Sequence, residues 1–377
     1  MIQRIKLNIL KLTEFRNYDS LLLKFDTPCV VILGENGIGK TNILEAISFL
    51  SPGRGLRLAS YRDIRRIGSS SNFSIFADVE GITGPAEILI KLEVKDNTLV
   101  RRLRINGVKV RGVDELNNYL RINWLVPSMD RIFSGPVTDR RRFLDRMVFS
   151  FDPRHGSYII NFEKLMRDRN RLLTEGRFDP SWLSAIESQM AELGIAIERT
   201  RAEMISKLSL LIADVESSQK KYFPSARLGI SGFMDNKLDN NILELQKEYA
   251  AILCKYRKRD AIAGRTLEGP HRSDLIVYHS ENNLKAHQSS TGEQKVLLMS
   301  IFLAHARLIS STTGFRPILL LDEIAAHLDK KRRAVLFDIV NDIGAQVFMT
   351  GSDKEQFSTL ACKARFIQLS NNNIDYN

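Results

Sequence analysis

Cysteine is scarce in this 377-residue chain: Cys29, Cys254 and Cys362 stand far apart, with no C-x-x-C pair. That excludes a disulfide framework and a thiolate zinc site, and suits a reducing compartment. Long hydrophobic runs are missing too, since no uninterrupted apolar stretch reaches the roughly 18 residues needed to span a bilayer. The opening Met1–Lys6 has no apolar segment after its basic residues and does not read as a signal peptide. These absences predict a soluble, cytoplasmic protein. There is neither an internal repeat nor a low-complexity linker. Acid is in short supply, with 44 Asp and Glu against 55 Lys and Arg, a net charge of +11. An excess of cations favours a polyanionic partner, either nucleic acid or an anionic membrane surface. With 44% hydrophobic residues the chain is ordinary globular material.

The first third reads as β-rich. Ile5, Leu7, Ile9 and Leu12 start an alternation that Leu21, Leu23 and Phe25 continue. Cys29–Leu33 is a short continuous apolar run, as in a strand buried on both faces. A helical pattern follows through Ile43, Leu44, Ile47 and Leu50 until Pro52-Gly53. Strands are predicted at Ser74–Val79, Glu87–Val94 and Leu99–Ile105, with Asn106-Gly107 as a hairpin turn. From about Leu116 the pattern turns helical. Thr138 caps a helix through Phe143, Leu144, Met147 and Val148. Asp179-Pro180-Ser181 opens a long rod carrying Trp182, Ile186, Met190, Leu193, Ile197, Met204, Leu208 and Leu211, about 45 Å in length at 1.5 Å per residue. Ile242, Leu245, Tyr249, Ile252 and Tyr256 mark another helix. After Arg265 β/α alternation returns: a strand at Leu275–His279, a helix at Gly292–Ile309, a buried strand at Ile318–Leu321, a helix at Lys330–Val340 and a strand at Gln346–Thr350. The expected architecture is an α/β head made of residues 1–115 and 266–377, with a short antiparallel helical arm, 116–265, inserted between them.

Gly34-Glu35-Asn36-Gly37-Ile38-Gly39-Lys40-Thr41 fits G-x-x-x-x-G-K-[ST], placed between a buried strand and a helix. In such a loop the glycines let backbone N–H groups wrap phosphates, Lys40 adds a point charge, and Thr41 offers a hydroxyl to Mg²⁺. The strand Ile318–Leu321 delivers Asp322, a candidate holder of Mg²⁺ or its water, and then Glu323, placed to orient or deprotonate a water. Ser289–Lys295 precedes a strongly apolar helix. It reads either as an ordinary N-cap or as an anion site built by Ser and Gly at a helix N-terminus. Arg140, Arg141 and Arg142, and the cluster Arg54, Arg57, Arg62, Arg65 and Arg66, are candidate contacts to DNA phosphates, or solvated faces.

Phosphate loop, then Ser-x-Gly-x-Gln (Ser290–Gln294), then Asp-Glu about 30 residues later, then Leu328-Asp329, is an order that resembles the ATP-binding-cassette ATPases. Over essentially its whole length the chain resembles the RecF family of bacterial recombinational repair and replication proteins. Leu12–Tyr18, Arg140–Asp145 and Gly269-Pro270-His271-Arg272 carry that likeness. The resemblance implies ATP and Mg²⁺ as cofactors and Glu323 as the catalytic residue. It places Arg16 and Asn17 near the nucleotide. A signature of Ser290, Thr291, Gly292 and Gln294, with its register open between Ser290 and Thr291, would cap the nucleotide of a second subunit, and Asp329 would lie in the D-loop. It further implies an ATP-dependent homodimer that binds duplex DNA near single-strand gaps and junctions, releases it on slow hydrolysis, and assists RecA loading with a RecR-type mediator. Three departures stand out. Ser273 sits where an acidic residue is common, Val126–Asp130 has no glutamine, and Val347–Asp353 has no switch histidine, which leaves Thr350 or Ser352 to reach the γ-phosphate. The missing glutamine and switch histidine, with a helical arm larger than a transporter's short helical subdomain, argue against a membrane-transporter subunit. An arm too short for a long coiled coil argues against an SMC-like chromosome ATPase.

Overall fold

The structure is a computed structural model that describes residues 2–69, 72–95, 98–176, 179–219, 226–233, 241–326, 328–360, 364–370 and 374–376. Cys362 and His327 lie outside them. The chain divides into two compact units, one of Met1–Asp130 with Phe302–Asn377 and one of Arg131–Lys220 with Pro224–Ile301. Both divisions fall later than the 115/116 and 265/266 boundaries expected from sequence. The reason is strand pairing. Ile122–Leu125, a strand hidden in the sequence by Asn123 and by its brevity, pairs in parallel with Ile318–Leu321 in the first unit. Asp274–His279 pairs antiparallel with Ala226–Ser231 in the second.

The first unit contains two six-stranded sheets. In one, the order is Ile374–Tyr376, Ala364–Leu369, Cys29–Leu33, Val347–Gly351, Ile318–Leu321, Ile122–Leu125, all parallel except the first. Its central strands are buried on both faces, which is why they read as unbroken apolar runs. The other sheet is antiparallel, in the order Tyr18–Lys24, Lys6–Phe15, Ser74–Gly81, Gly84–Lys95, Thr98–Ile105, Val108–Val110. Asn106 and Gly107 take φ of 50° and 78° at the predicted hairpin turn. Alternation sends Leu10, Leu12, Ile75, Ala77, Ile88, Ile90 and Leu103 into one core with Ile43, Leu44 and Ile47 of the helix Lys40–Ser48.

The second unit is mainly helical: Val137–Phe151, Arg154–Glu175, Pro180–Gln219, Ile242–Lys255 and Arg257–Ala263. Thr138 lies inside the first of these rather than capping it, because Pro136 supplies the extended residue before the helix. Arg154–Glu175 escaped the sequence reading. Its stripe of Tyr158, Ile159, Phe162, Leu165, Met166, Leu172 and Leu173 is interrupted by Arg169, a charge that turns out to be wholly buried. The long helix runs 40 residues, about 60 Å rather than 45 Å. Gly194 is required where that helix meets Ile242–Lys255: a Cβ there would lie 2.6 Å from the Tyr249 ring.

The helix Thr291–Thr313 corrects the expectation that nothing here is long and apolar enough to cross a bilayer. It contains an 18-residue window of mean hydropathy 1.4, but 72% of that window is buried. Small and hydroxyl residues interleave with its Leu, Ile and Phe, so no continuous apolar run betrays it in the sequence. A helix that is apolar all round is a core helix when protein covers it.

Candidate nucleotide site

The loop after Cys29–Leu33 turns through Gly34, Gly37 and Gly39 at φ of 152°, 86° and 114°. L side chains rarely adopt these values, and they let successive N–H groups converge. Lys40 is buried, and its ammonium donates to the carbonyls of Gly34 (2.7 Å) and Glu35 (3.0 Å). The loop is braced from outside. Asn17 Nδ2 donates to the Ile38 carbonyl (2.9 Å) and the Tyr18 hydroxyl to that of Gly39 (3.2 Å). A Cβ at Gly39 would sit 2.6 Å from Asn17 Nδ2, so only glycine admits both braces. Burial pushes the Tyr18 hydroxyl above its ordinary pKa, which keeps it a donor.

Strand order brings the acidic residues alongside. Val347–Gly351 lies between the phosphate-loop strand and Ile318–Leu321, with Leu321 opposite Met349. Asp322 therefore emerges beside Thr350 and across from Thr41. Its carboxylate accepts hydrogen bonds from Thr350 Oγ1 (2.7 Å) and Thr41 Oγ1 (2.9 and 3.0 Å). Burial raises the Asp322 pKa, and the two hydroxyls oppose that. Glu323 is half-buried at φ 47°, and its N–H donates to Thr350 Oγ1 (2.9 Å). Thr350 thus gives its hydroxyl proton to Asp322 within the fold, which of the two hydroxyls expected to reach a phosphate leaves that of the exposed Ser352. Among the described residues no group of three His, Cys, Asp or Glu could hold a metal ion unaided. Asp322 and the Thr41 hydroxyl do fit Mg²⁺, which takes one or two protein oxygens and completes its shell with phosphate and water.

Arg16 and Arg57 both pair with a carboxylate of the helix that follows the loop. Glu45, fully buried in the helix after the loop, accepts two hydrogen bonds from Arg16 (2.8 and 2.6 Å) and one from Arg57 (3.0 Å). Arg16 also donates to the Asp63 carbonyl, and Arg57 to Asn42 Oδ1. A buried carboxylate needs such partners, so both arginines are structural anchors beside the loop, while Arg54 is exposed.

In the second unit, Ser290 caps the helix Thr291–Thr313. Its hydroxyl accepts from the Glu293 N–H (3.3 Å), and the Glu293 carboxylate accepts from the Ser290 N–H (2.8 Å) and hydroxyl (2.9 Å). This is a capping box of S-x-x-E form. Ser290, Thr291 and Gly292 remain exposed, whereas Gln294 is buried, donating to the Ser289 carbonyl and accepting from Ser134. Arg140 makes a two-pronged ion pair with Asp274 (2.8 Å each) and Arg141 donates to the Ser273 carbonyl. Of the three only Arg142 has a mostly solvent-facing side chain. Ser273 is buried and donates to Glu198 (2.8 Å), a position where a second carboxylate would repel the first. In the first unit Asp329, exposed, caps the helix Lys330–Ile343 through the Arg332 N–H.

A family model described as the RecF/RecN/SMC N terminal domain matches residues 6–374. The chain is 53% identical over 374 residues to the DNA replication and repair protein RecF of Rhizobium etli strain CIAT 652, covering 99% of this chain and 100% of that one. It belongs to the RecF family. The Agrobacterium fabrum RecF is 52% identical over 375 residues, 99% of each chain. The fold matches a solved structure of the recombination mediator protein RecF with ATP in the RecFOR pathway, at a TM-score of 0.86 and 22% identity, over 100% of this chain and 99% of that one. An Smc head domain from Pyrococcus furiosus matches at 0.56 and 16% identity, over 99% and 96%. These likenesses establish an ATP-binding-cassette-type head fold.

Proposed function

We propose that this chain is an ATP-dependent DNA-binding protein of DNA replication and repair, working in the cytoplasm. The observation that carries the reading is the join between phosphate loop and acidic strand, where Thr41 and Asp322 share a hydrogen bond across 281 residues of sequence. The loop's converging N–H groups and Lys40 hold the ATP phosphates. Thr41 and Asp322 hold Mg²⁺, which supplies charge neutralisation at the phosphates. Glu323 orients or deprotonates the attacking water, so hydrolysis acts as a slow switch. The names of its relatives support the repair role. We further propose duplex DNA at gaps and junctions, a RecR-type mediator, assistance to RecA loading and an ATP-dependent homodimer closed by Ser290 as the partners and events of this activity.

For DNA, the outer face of the antiparallel sheet is a better candidate than Arg57 or Arg140. Strand register lines up Leu22, Lys11, Phe76, Leu89, Arg104 and Lys109 in one row, and Ser20, Thr13, Ser74, Lys91 and Arg102 in the next. Arg102 pairs with Glu93. Lys11, Lys91, Arg104 and Lys109 are exposed and have no acidic partner among the described residues. From Lys11 to Lys109 is four strand spacings, about 19 Å, enough to meet several phosphates.

Glu323→Gln tests the assignment: ATP and duplex DNA should still bind, while hydrolysis falls at least about 100-fold and ATP-bound dimer accumulates in sedimentation. Wild-type turnover in that variant moves the catalytic role elsewhere.

A further inference from the structure

We propose that Thr350 is the positioning residue of the nucleotide site, its one hydroxyl fixing the Asp322 carboxylate and the Glu323 backbone together. This rests on the ATPase reading above and names a residue that reading does not use. A threonine hydroxyl has one proton to give. Thr350 gives it to Asp322 Oδ1 at 2.7 Å, and its oxygen takes the Glu323 N–H at 2.9 Å. The side chain is completely buried, so water cannot substitute for either bond.

Glu323 has a positive φ, a conformation that a residue with a Cβ adopts only when the surroundings impose it. The Thr350 oxygen is the acceptor that receives its N–H in that conformation. The strand Val347–Gly351 is central in its sheet and held by pairing on both sides, by Cys29–Leu33 and by Ile318–Leu321. Its last turn outward is therefore a rigid mount. One hydroxyl on that mount sets the metal-side carboxylate and the water-side residue in mutual register. Thr41, on the other side of Asp322, sits at the first turn of the phosphate-loop helix and is expected to reorient toward a cation. Thr350 has no such second task.

A packing role and a hydroxyl role predict opposite rankings of two substitutions. Thr350→Val keeps the shape and deletes the hydroxyl, while Thr350→Ser keeps the hydroxyl and deletes a methyl. If the hydroxyl positions the site, Thr350→Val should slow hydrolysis about 10- to 100-fold, the usual cost of losing an outer-shell partner. It should raise the Mg²⁺ concentration needed for half-maximal binding of a fluorescent ATP analogue, and speed amide exchange in the peptide spanning Leu321–Ile324. Thr350→Ser should restore all three toward wild type. Wild-type behaviour of Thr350→Val, or a Ser variant worse than the Val variant with melting temperature falling in parallel, overturns the inference. Failure of the wild-type protein itself to bind the analogue with Mg²⁺ is a separate result, and it overturns the nucleotide reading first.

Discussion

Lys40 and Arg169 are both withdrawn from water, at 4% and 0% exposure, yet they are held by different kinds of partner. Arg169 donates to Glu187 (3.0 Å), Asp260 (2.8 Å), the Thr266 hydroxyl (2.8 Å) and the Leu253 carbonyl (2.7 Å). Its charge is neutralised and its donors are filled, by residues from several helices of the second unit. Lys40 rests on two carbonyls of its own loop. Carbonyl dipoles steady an ammonium without cancelling its charge, so the attraction for an anion remains. The lesson is that burial alone does not separate a structural charge from a functional one. What separates them is whether the partner carries the opposite formal charge.

The largest effect should come from breaking the closed set. Arg169→Leu leaves Glu187 and Asp260 as buried carboxylates short of a partner, and a broken buried pair costs about 3–5 kcal/mol. Denaturant unfolding should register that loss, with ATP affinity unchanged in whatever fraction folds. A loss below about 1 kcal/mol would mean that Arg257, which also holds Glu187, and Arg259, which also holds Asp260, suffice between them.

Lys40→Met should invert the pattern. No carboxylate is stranded, so stability should move little, while ATP affinity falls about 100-fold or more through loss of a charge-assisted contact to phosphate. Labelled ATP binding with near wild-type affinity would end the phosphate-loop assignment.

A histidine sharpens the comparison through pH. Burial, with Arg141 and Arg272 adding to it, pushes His271 down to about 4 from 6.5, while its bond to the Thr266 carbonyl pulls the other way. Above pH 6.5 the ring is neutral both folded and unfolded. Between pH 6.5 and 4 the unfolded chain takes up a proton that the folded one refuses, so stability falls as pH falls through that window, by up to about 3 kcal/mol. His271→Gln should flatten this part of the profile. An equally steep slope in that variant would assign it to other groups.

Much of the nucleotide site was legible because each of its parts obeys a local rule. A glycine loop lies between strand and helix, and an apolar strand ends in Asp322-Glu323. Thr350 was visible as a residue but not as a partner, because strand order, which puts Val347–Gly351 between the other two strands, is a long-range property. The helix Arg154–Glu175 was missed for a related reason. Arg169 looks like an interruption of an apolar stripe until Glu187 and Asp260 are seen around it. The basic clusters conceal partners of their own. Arg57 and Arg140 look free in sequence, and only folding reveals Glu45 and Asp274 beside them.

Ser290 should show only a modest stability effect and gives the sharpest test of the dimer. Its hydroxyl has a complete local role in the capping box with Glu293, so Ser290→Ala should cost about 1 kcal/mol whatever else the residue does. That loss says nothing about a second subunit. Ser290→Arg removes the same cap and adds bulk at an exposed helix start. If the exposed end of this helix meets a nucleotide held by a second copy, the Arg variant should bind ATP as well as the Ala variant and melt at a similar temperature. It should nevertheless fail to form the ATP-dependent dimer that the Ala variant still forms. DNA binding should weaken with it, and the salt dependence of what remains should be shallower, because fewer phosphates are neutralised by one copy than by two. A folded, ATP-binding Ser290→Arg protein that sediments as a normal ATP-dependent dimer would leave Ser290 as a helix cap and nothing more.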